Sequence, residues 1–306
     1  MTIKTLVIGL GKIGMMYDYD DKKSSLSHSQ SINKHPHFFL SGAIDLSSAQ
    51  RKKFFKKFKK PTYIDLKQAI KEKIPDLIII SVGTKEADEI YTQIIKLKIC
   101  PKAILFEKPV SYYLVNAKKI FNYCKDNNIH IFVNYNRRYD PSTFLLDKKI
   151  KNNYIGKIKK IEIFYKKGLY NACSHYINFI QKIFPGEKKI KRKNFIKNIK
   201  NDFLFDFILY NKDQQIYFYA KKTKNEFIRM IGDHGKLVYY TELDELFFVN
   251  DKNNKKFILK NNYSQGQISV LNNIYKTLNN KSFPLSSSDD AIECLTYLNK
   301  INKYYD

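Results

Sequence analysis

IKTLVIGLGKIG, at residues 3–14, is an apolar run followed at once by a G-x-G-x-x-G turn. The apolar part predicts a buried strand over Ile3–Ile8. The turn consists of Gly9, Gly11 and Gly14, with Lys12 beside Gly11 and Ile13 before the last glycine. Glycines let the backbone approach a pyrophosphate, whose charge the N-terminus of a following helix favours. We therefore predict a dinucleotide-binding turn at the start of a doubly wound sheet.

The residues after the turn are unusual because the helix does not begin at once. Residues 17–27 are polar, and the helix is predicted to start near Ser27 and His28. An inserted loop therefore lies beside the phosphates, where it either covers the cofactor or alters the turn. We interpret His28 as a helix-start residue with a structural role, in preference to a ligand.

The second strand, Phe38–Ile44, ends in Asp45. An acid at this place accepts hydrogen bonds from an adenosine ribose and disfavours a 2′-phosphate. Its distance from the glycines exceeds the usual spacing, and the inserted loop accounts for the excess. Arg51, Lys52 and Lys53 lie close behind it and would tolerate the phosphate, so NAD is favoured and NADP stays open.

Three further predicted strands, 76–82, 103–106 and 130–133, end in residues suited to the same ligand. In chain order these residues are Gly83 and Thr84, then Glu107 and Lys108, then Asn134. Pro109 biases Lys108 toward an extended backbone, so its amine projects from a defined place where it can meet a substrate oxygen. An ordinary solvated lysine is the alternative.

The alternation of strands and helices over about 140 residues predicts an α/β fold with a parallel, doubly wound sheet. After residue 157 the pattern changes to short alternating strands, which predicts an open and largely antiparallel sheet. Helices at 171–184, 265–279 and 288–304 would cover it. We expect domains at 1–140 and 141–306, with the last helix able to pack back on the first. The charge-rich stretch 188–200 is interpreted as a solvated helix or loop.

The composition argues against several classes of protein. The net charge is +26, but 50 of the 55 basic residues are lysines, whereas nucleic-acid readers usually depend on arginine. We expect no specific nucleic-acid partner; the positive field would instead attract an anionic substrate such as a nucleotide sugar. The four cysteines have no metal-type spacing, and neither a membrane span nor a signal peptide is recognisable. A cytoplasmic protein without metal is expected.

Asn171 and His175 lie four residues apart at the start of an apolar predicted helix, so they would share a face. A histidine in the first turn of a helix beside a cleft can act as an acid or base near neutral pH. A buried histidine with a purely structural role is an equally good interpretation.

With these residues considered, the chain resembles the glucose–fructose oxidoreductase / inositol dehydrogenase (Gfo/Idh/MocA) family along essentially its whole length. The matching segments are the glycine turn, Glu107-Lys108-Pro109 as the E-K-P motif, Asn134 with Arg137–Pro141, and Gly168–His175. The resemblance implies NAD(P)-dependent oxidation or reduction at a sugar or cyclitol carbon. It also implies a homodimer or homotetramer. The long loop after the glycine turn resembles members encoded among surface-glycan genes.

The resemblance suggests a role for each residue. Lys108 would bind the reacting oxygen, His175 would be the acid or base, and Arg137 and Asn171 would orient the substrate. Many members have an aspartate at the position of Asn171 and often an acid at that of Asn178, and an amide cannot carry a proton as a carboxylate does. We therefore expect either an adjusted dehydrogenase or an NAD-binding sensor with little activity.

Overall fold

The computed structural model describes residues 2–71, 74–199, 202–211, 214–221, 223–243, 245–251, 255–260 and 266–302. The chain divides into two compact units. The first comprises Met1–Tyr139 with Ser264–Leu295, and the second Asp140–Tyr263 with Thr296–Asp306. The expected division into a dinucleotide-binding domain at 1–140 and a substrate domain at 141–306 stays a prediction.

Within the described residues, the strands are β1 (Ile3–Ile8), β2 (Phe38–Ile44), β3 (Thr62–Tyr63), β4 (Leu77–Ile80), β5 (Ala103–Phe106), β6 (His130–Val133), β7 (Ile158–Tyr165), β8 (Lys189–Ile199), β9 (Asp202–Tyr210), β10 (Gln215–Ala220), β11 (Phe227–Gly232), β12 (Gly235–Tyr240), β13 (Glu245–Asn250) and β14 (Lys255–Lys260). The α-helices there are α1 (His28–Lys34), α2 (Ser48–Phe58), α3 (Leu66–Ala69), α4 (Thr84–Lys96), α5 (Leu114–Asp126), α6 (Pro141–Lys151), α7 (Ser174–Ile183), α8 (Gly266–Leu278) and α9 (Ser288–Asn302).

The first unit contains a parallel sheet in the order β3-β2-β1-β4-β5-β6. The predicted doubly wound sheet is confirmed. The two-residue strand β3 was not predicted, because so short a segment shows no periodicity. The fully buried residues Val7, Leu105, Phe132 and Ile274 join β1, β5, β6 and α8 in one core. Each such side chain contributes about 1.5–3 kcal/mol by leaving water.

Backbone hydrogen bonds between neighbouring strands bring the strand ends to one edge of this sheet. The N–H of Gly9 donates to the carbonyl of Ile44 (2.8 Å), and the N–H of Asn134 donates to that of Phe106 (2.8 Å). Because the strands are parallel, the residues that follow them lie along this carboxyl edge, where open α/β sheets bind ligands.

The second unit contains an eight-stranded sheet in the order β14-β13-β12-β11-β7-β10-β9-β8, as far as the described residues show. All of its pairs are antiparallel except β10 with β7, so the predicted, largely antiparallel sheet is confirmed. One face carries fully buried side chains such as Met230, Phe248 and Tyr239, and Phe179 of α7 packs against Tyr239.

Two predictions about this unit were wrong in detail. The stretch 188–200 is not a helix or loop, because Lys189–Ile199 forms β8 and pairs with β9 at the sheet edge. Lysines suit an edge strand because their charge prevents pairing with another chain. The predicted helix 171–184 begins instead with a π-helical turn, Leu169–Cys173. The predicted ends Lys200, Gln265 and Tyr304 lie outside the described residues.

His35 is a buried histidine in the first unit whose setting disfavours protonation. The ring is buried, its Nε2 lies 3.1 Å from Asn272 Oδ1 on α8, and its Nδ1 accepts the N–H of His37 (3.2 Å). Burial lowers the pKa of His35 below its ordinary value of 6.5, with a further contribution from the charge of His37, despite the bond to Asn272.

We expect the free energy of unfolding to fall as the pH drops below about 6.5. In that range His35 becomes protonated in the unfolded chain but stays neutral in the folded protein, because its pKa is lower there. Denaturant titrations at pH 7.5, 6.5 and 5.5 measure this loss. His35→Gln should flatten it, whereas His130→Gln, at an exposed position, should not. Equal slopes for the wild type and His35→Gln would refute this origin.

Candidate active site

The glycine turn leaves space for a pyrophosphate at its middle glycine. Gly9 has a φ of +94°, and a Cβ there would lie 2.8 Å from the backbone of Ser81. A Cβ on Gly14 would overlap the carbonyl oxygen of Gly9, whereas one on Gly11 would have no atom within 4 Å. Gly9 and Gly14 are therefore required for close packing. Gly11 lies in open space between the exposed Lys12 and the carboxyl end of β1, where a dinucleotide phosphate fits.

The inserted loop leaves this turn unaltered, because the helical hydrogen bonds continue across it. The N–H groups of His28 and Ser29 donate to the carbonyls of Ile13 (2.9 Å) and Gly14 (3.0 Å). His28 thus takes the place that residue 17 would have in an uninterrupted helix. Gly14 and Asp45 are 31 positions apart, and without residues 17–27 they would be about 20 apart, the usual spacing.

The loop is held by its own buried carboxylate and by α2. Asp18 accepts the N–H groups of Leu26 (2.7 Å) and Ser27 (3.1 Å), and the hydroxyl of Ser27 also donates to it. Lys57 on α2 donates to the carbonyls of Asp18 (3.1 Å) and Tyr19 (2.5 Å). Ser27 caps α1 by accepting the N–H of Gln30. The predicted start of this helix is confirmed.

Excising residues 17–27 tests whether the loop covers the cofactor. Joining Met16 to His28 keeps the bonds to Ile13 and Gly14 at helical spacing, so we expect a folded protein whose NADH affinity changes by less than about threefold, well under 1 kcal/mol. Fluorescence titration with NADH measures the affinity. Loss of NADH binding in a folded variant would show instead that the loop forms part of the cofactor site.

Asp45 lies at the end of β2 with both carboxylate oxygens in hydrogen bonds to the backbone. One oxygen accepts the N–H of Leu10 (2.7 Å) and the other that of Ser47 (2.8 Å). Each carboxylate oxygen has a second lone pair for a ribose hydroxyl. Arg51 donates to the carbonyls of Asp45 (2.6 Å) and Leu46 (2.9 Å), so it is already engaged beside the place where a 2′-phosphate would lie.

Gly83 and Thr84 open α4 at the same edge. Gly83 is the N-cap residue, and a Cβ on it would overlap the carboxylate of Glu86, which folds back over the turn. Thr84 is the half-buried first residue of the helix. The absence of a side chain at Gly83 therefore leaves room for Glu86 as well as for the predicted cofactor.

Glu107 is the half-buried centre of a polar cluster. Its Oε1 lies 2.7 Å from His28 Nε2 and accepts Asn134 Nδ2–H at 2.6 Å. Asn134 also donates to Gln267 on α8 (3.3 Å). Burial acts to raise the pKa of Glu107, but the hydrogen bond and charge of His28, the bond from Asn134 and the charge of Lys108 outweigh it, so the pKa is lowered.

The backbone after Lys108 is fixed from α4. The buried hydroxyl of Tyr91 donates to the carbonyl of Val110 (2.7 Å), and Asp88 accepts Ser111 Oγ–H (3.1 Å) and Asn116 Nδ2–H (2.7 Å). Burial raises the pKa of Tyr91 well above its ordinary value, so its hydroxyl stays a donor. Lys108 itself is half-buried at the carboxyl end of β5.

The two arginines after β6 have different settings. Arg138 is buried, pairs with Asp290 on α9 (2.9 Å) and donates to the carbonyl of Leu285, which makes it a structural residue. Arg137, the predicted substrate residue, is half-buried in the short 3₁₀ turn Asn136–Tyr139.

Asn171 and His175 lie in the second unit, on the π-helical turn and the start of α7. Asp202 at the start of β9 accepts the N–H groups of Tyr170 (3.1 Å) and Asn171 (2.9 Å). Burial raises the pKa of Asp202, although its backbone hydrogen bonds oppose this. Asn171 is exposed and His175 half-buried. Asp202 thus holds the turn that presents both residues, a role that its sequence position did not indicate.

Of the predicted residues, the structure joins Glu107 and Asn134 by a hydrogen bond and places the glycine turn, Asp45, Gly83 and Lys108 along the same sheet edge. The pairing of Lys108 with His175 at one reacting carbon stays a prediction. Sequence reasoning missed His28 and Gln267 as members of the Glu107 cluster. The one available signal was the position of His28 at a helix start, because a contact 79 positions away leaves no local pattern.

The described residues contain no group of three or more histidine, cysteine, aspartate or glutamate side chains arranged for a metal ion. Within the same ranges, every helix is too short or too polar to cross a membrane.

Comparisons with known proteins agree with this geometry. Residues 3–135 match the family model described as GFO_IDH_MocA, "Oxidoreductase family, NAD-binding Rossmann fold". A dehydrogenase (MviM) from Clostridium difficile has a TM-score of 0.80 at 18% identity, covering 99% of this chain and 100% of that one. An oxidoreductase from Agrobacterium radiobacter, in complex with NAD+, L-tartaric acid and magnesium, has a TM-score of 0.78 at 12% identity, covering 99% and 96%. At these identities the solved structures show the fold alone.

One curated sequence is also similar. Over 186 residues, 51% of this chain, it is 29% identical to the CRISPR-associated endoribonuclease Cas13a of Leptotrichia wadei. The chain spans only 13% of the length of that protein, so the match carries no argument about a shared activity.

The glycine turn, the acid after β2 and the E-K-P segment after β5 all lie within the residues that the family model matches. The predicted cofactor, NAD, is confirmed for the family, whose Rossmann fold is described as NAD-binding. Residues 3–135 therefore match the NAD-binding Rossmann fold of the Gfo/Idh/MocA family of oxidoreductases.

Proposed function

We propose that this protein is an NAD-dependent oxidoreductase that acts on a sugar or a nucleotide-linked sugar. The observation that carries the proposal is the Glu107 cluster: an ionised, half-buried carboxylate held by His28 and Asn134 immediately before Lys108. Such a cluster fixes the backbone from which the amine projects, which is what orientation of a substrate oxygen requires.

Each residue has a role in this proposal. The turn at Gly9–Gly14 and the carboxylate of Asp45 hold NAD, with NADP as the alternative, and Thr84, Glu107 and Asn134 lie toward its nicotinamide end. Bound NAD would supply hydride acceptance or donation. Lys108 hydrogen-bonds the reacting hydroxyl or carbonyl oxygen, and His175 holds or accepts its proton. Arg137 and Asn171 orient the remaining substrate oxygens.

The sugar class is supported by the net charge of +26, which favours an anionic substrate such as a nucleotide sugar. A role in surface-glycan biosynthesis extends the proposal. None of the four cysteines forms a disulfide bond, which agrees with the proposed cytoplasmic location.

A panel of nucleotide sugars tested for NADH formation, and of keto-sugars tested for NADH consumption, decides the proposal. Turnover of one panel member at a rate that depends on Lys108 supports it. The alternative, an NAD-binding sensor, is favoured by the exposed amide of Asn171 in place of a carboxylate. Tight NADH binding without turnover across both panels would establish that alternative.

We also propose that the protein forms a homodimer or homotetramer through the outer face of the second sheet. Aromatic rings cross neighbouring strands on this face: Phe164 stacks on Phe227 (4.4 Å between ring centroids), and Phe227 contacts Tyr240 (5.5 Å). Glu162 pairs with Arg229 beside them (2.6 Å). Phe227, Arg229 and Tyr240 are half-buried, and an aromatic surface with paired charges suits a second copy of the same surface.

Replacing Phe227 with glutamate should convert the oligomer to a monomer, because it places an unpaired charge against an apolar partner surface. Light scattering on a sizing column measures the mass. Tyr17→Glu, exposed in the first unit, is the matched control and should leave the mass unchanged. A wild type that is monomeric at 100 µM would refute the proposal.

A further inference from the structure

His28 links the two ends of the predicted cofactor seat. Its backbone N–H donates to the carbonyl of Ile13 inside the glycine turn (2.9 Å), and its side chain lies 2.7 Å from the carboxylate of Glu107. The side chain is only 1% exposed. One residue therefore contacts both the turn that fits the phosphates and the carboxylate that precedes Lys108.

The contact fixes the orientation of the Glu107 carboxylate. Oε1 receives His28 from one side and Asn134 from the other, while Oε2 lies toward the backbone N–H of Lys108 (3.4 Å). Two short bonds on one oxygen leave the carboxylate a single orientation. Removal of the imidazole would leave Oε1 with Asn134 alone and let the carboxylate rotate about its terminal bond.

The position of His28 depends on how the inserted loop rejoins α1. Eleven residues are looped out after the glycine turn, yet the buried Asp18 holds Ser27 so that α1 resumes in helical register. A shift of one residue would rotate the side chain by about 100° around α1 and remove it from Glu107. Ser29, the next residue, donates instead to the carbonyl of Gly14 (2.7 Å).

We propose that His28 is a positioning residue of the active site, which holds the carboxylate of Glu107 and through it sets the direction of the Lys108 amine. This inference rests on the proposed function. It adds a residue outside the E-K-P segment, and it implies that the glycine turn and the reacting end of the seat are mechanically connected.

His28→Ala should lower kcat about a hundredfold, the order of effect that misplacement by about 1 Å produces, while the Kd for NADH changes less than threefold. His28→Gln should recover most of the turnover, because its amide can still donate to Glu107. His130→Ala, at an exposed position of the same unit, should match the wild type. Equal kcat for His28→Ala and His130→Ala would overturn the proposal.

A second readout needs no substrate. In proton NMR the buried imidazole N–H should give a downfield signal, protected from exchange, that disappears in both His28→Gln and Glu107→Ala. Survival of that signal in folded Glu107→Ala would overturn the proposed contact. If the signal behaves as expected but the wild type neither binds NADH nor turns over any panel member, the proposed function fails, and His28 is then a structural residue only.

Discussion

Lys108→Ala is expected to lower turnover by about 10²–10³-fold, the range that loss of one hydrogen-bond donor to the reacting oxygen costs, while the Kd for NADH stays within about twofold. The physical reason is position. Lys108 follows β5 at the carboxyl edge of the sheet, next to the ionised carboxylate of Glu107, whereas the phosphates would lie at the glycine turn. The amine therefore binds the reacting oxygen and does not contribute to the binding of the coenzyme.

Lys102→Ala is the matched control, because Lys102 precedes the same strand at its opposite end and pairs with Asp76 at the surface (2.9 Å). It should turn over like the wild type. Steady-state kinetics and fluorescence titration with NADH are run on both variants. Loss of NADH binding in folded Lys108→Ala would contradict the role given to this lysine.

Gly14→Ala should reduce the free energy of unfolding by at least about 3 kcal/mol, a large value for one methyl group. The added Cβ would overlap the carbonyl oxygen of Gly9, which lies in backbone and cannot rotate away. Relief requires α1 or β1 to move, and both belong to the core of the first unit. Denaturant unfolding monitored by circular dichroism measures the loss.

Gly11→Ala should weaken NADH binding without a change in the stability of the protein. Its Cβ would have no atom within 4 Å, so the stability should stay within about 0.5 kcal/mol of the wild type. The methyl group would occupy the space above the turn and remove a charge-assisted bond to phosphate, worth about 10–100-fold in NADH affinity. A Gly11→Ala variant with unchanged NADH affinity would show that the pyrophosphate does not bind at this turn.

The first unit was predictable because its signals are local. The apolar strands Ile3–Ile8 and Phe38–Ile44, and the turns that follow them, lie at the predicted residues. The start of α1 was predictable as well, because the serine cap Ser27 has a physical function that is visible in sequence. Parallel topology then brings the strand ends together without further information.

The contacts that complete the site were not predictable. His28 meets Glu107 across 79 positions, and Asp202 meets the π-helical turn from another strand. No fixed spacing in the sequence indicates that the residues of either pair are in contact. The edge strand β8 was missed because its lysines resemble a solvated segment, although they suit the open side of a sheet.

The register across the inserted loop has a consequence for how this protein can change. Since Met16 and His28 are both held to the glycine turn by backbone bonds, the length between them is uncoupled from the nucleotide pocket. Its exposed part, residues 20–23, behaves as an exchangeable cassette: a peptide tag, a fluorophore or a different recognition sequence grafted there would alter the rim of the enzyme while Asp18 and Ser27 keep α1 in register.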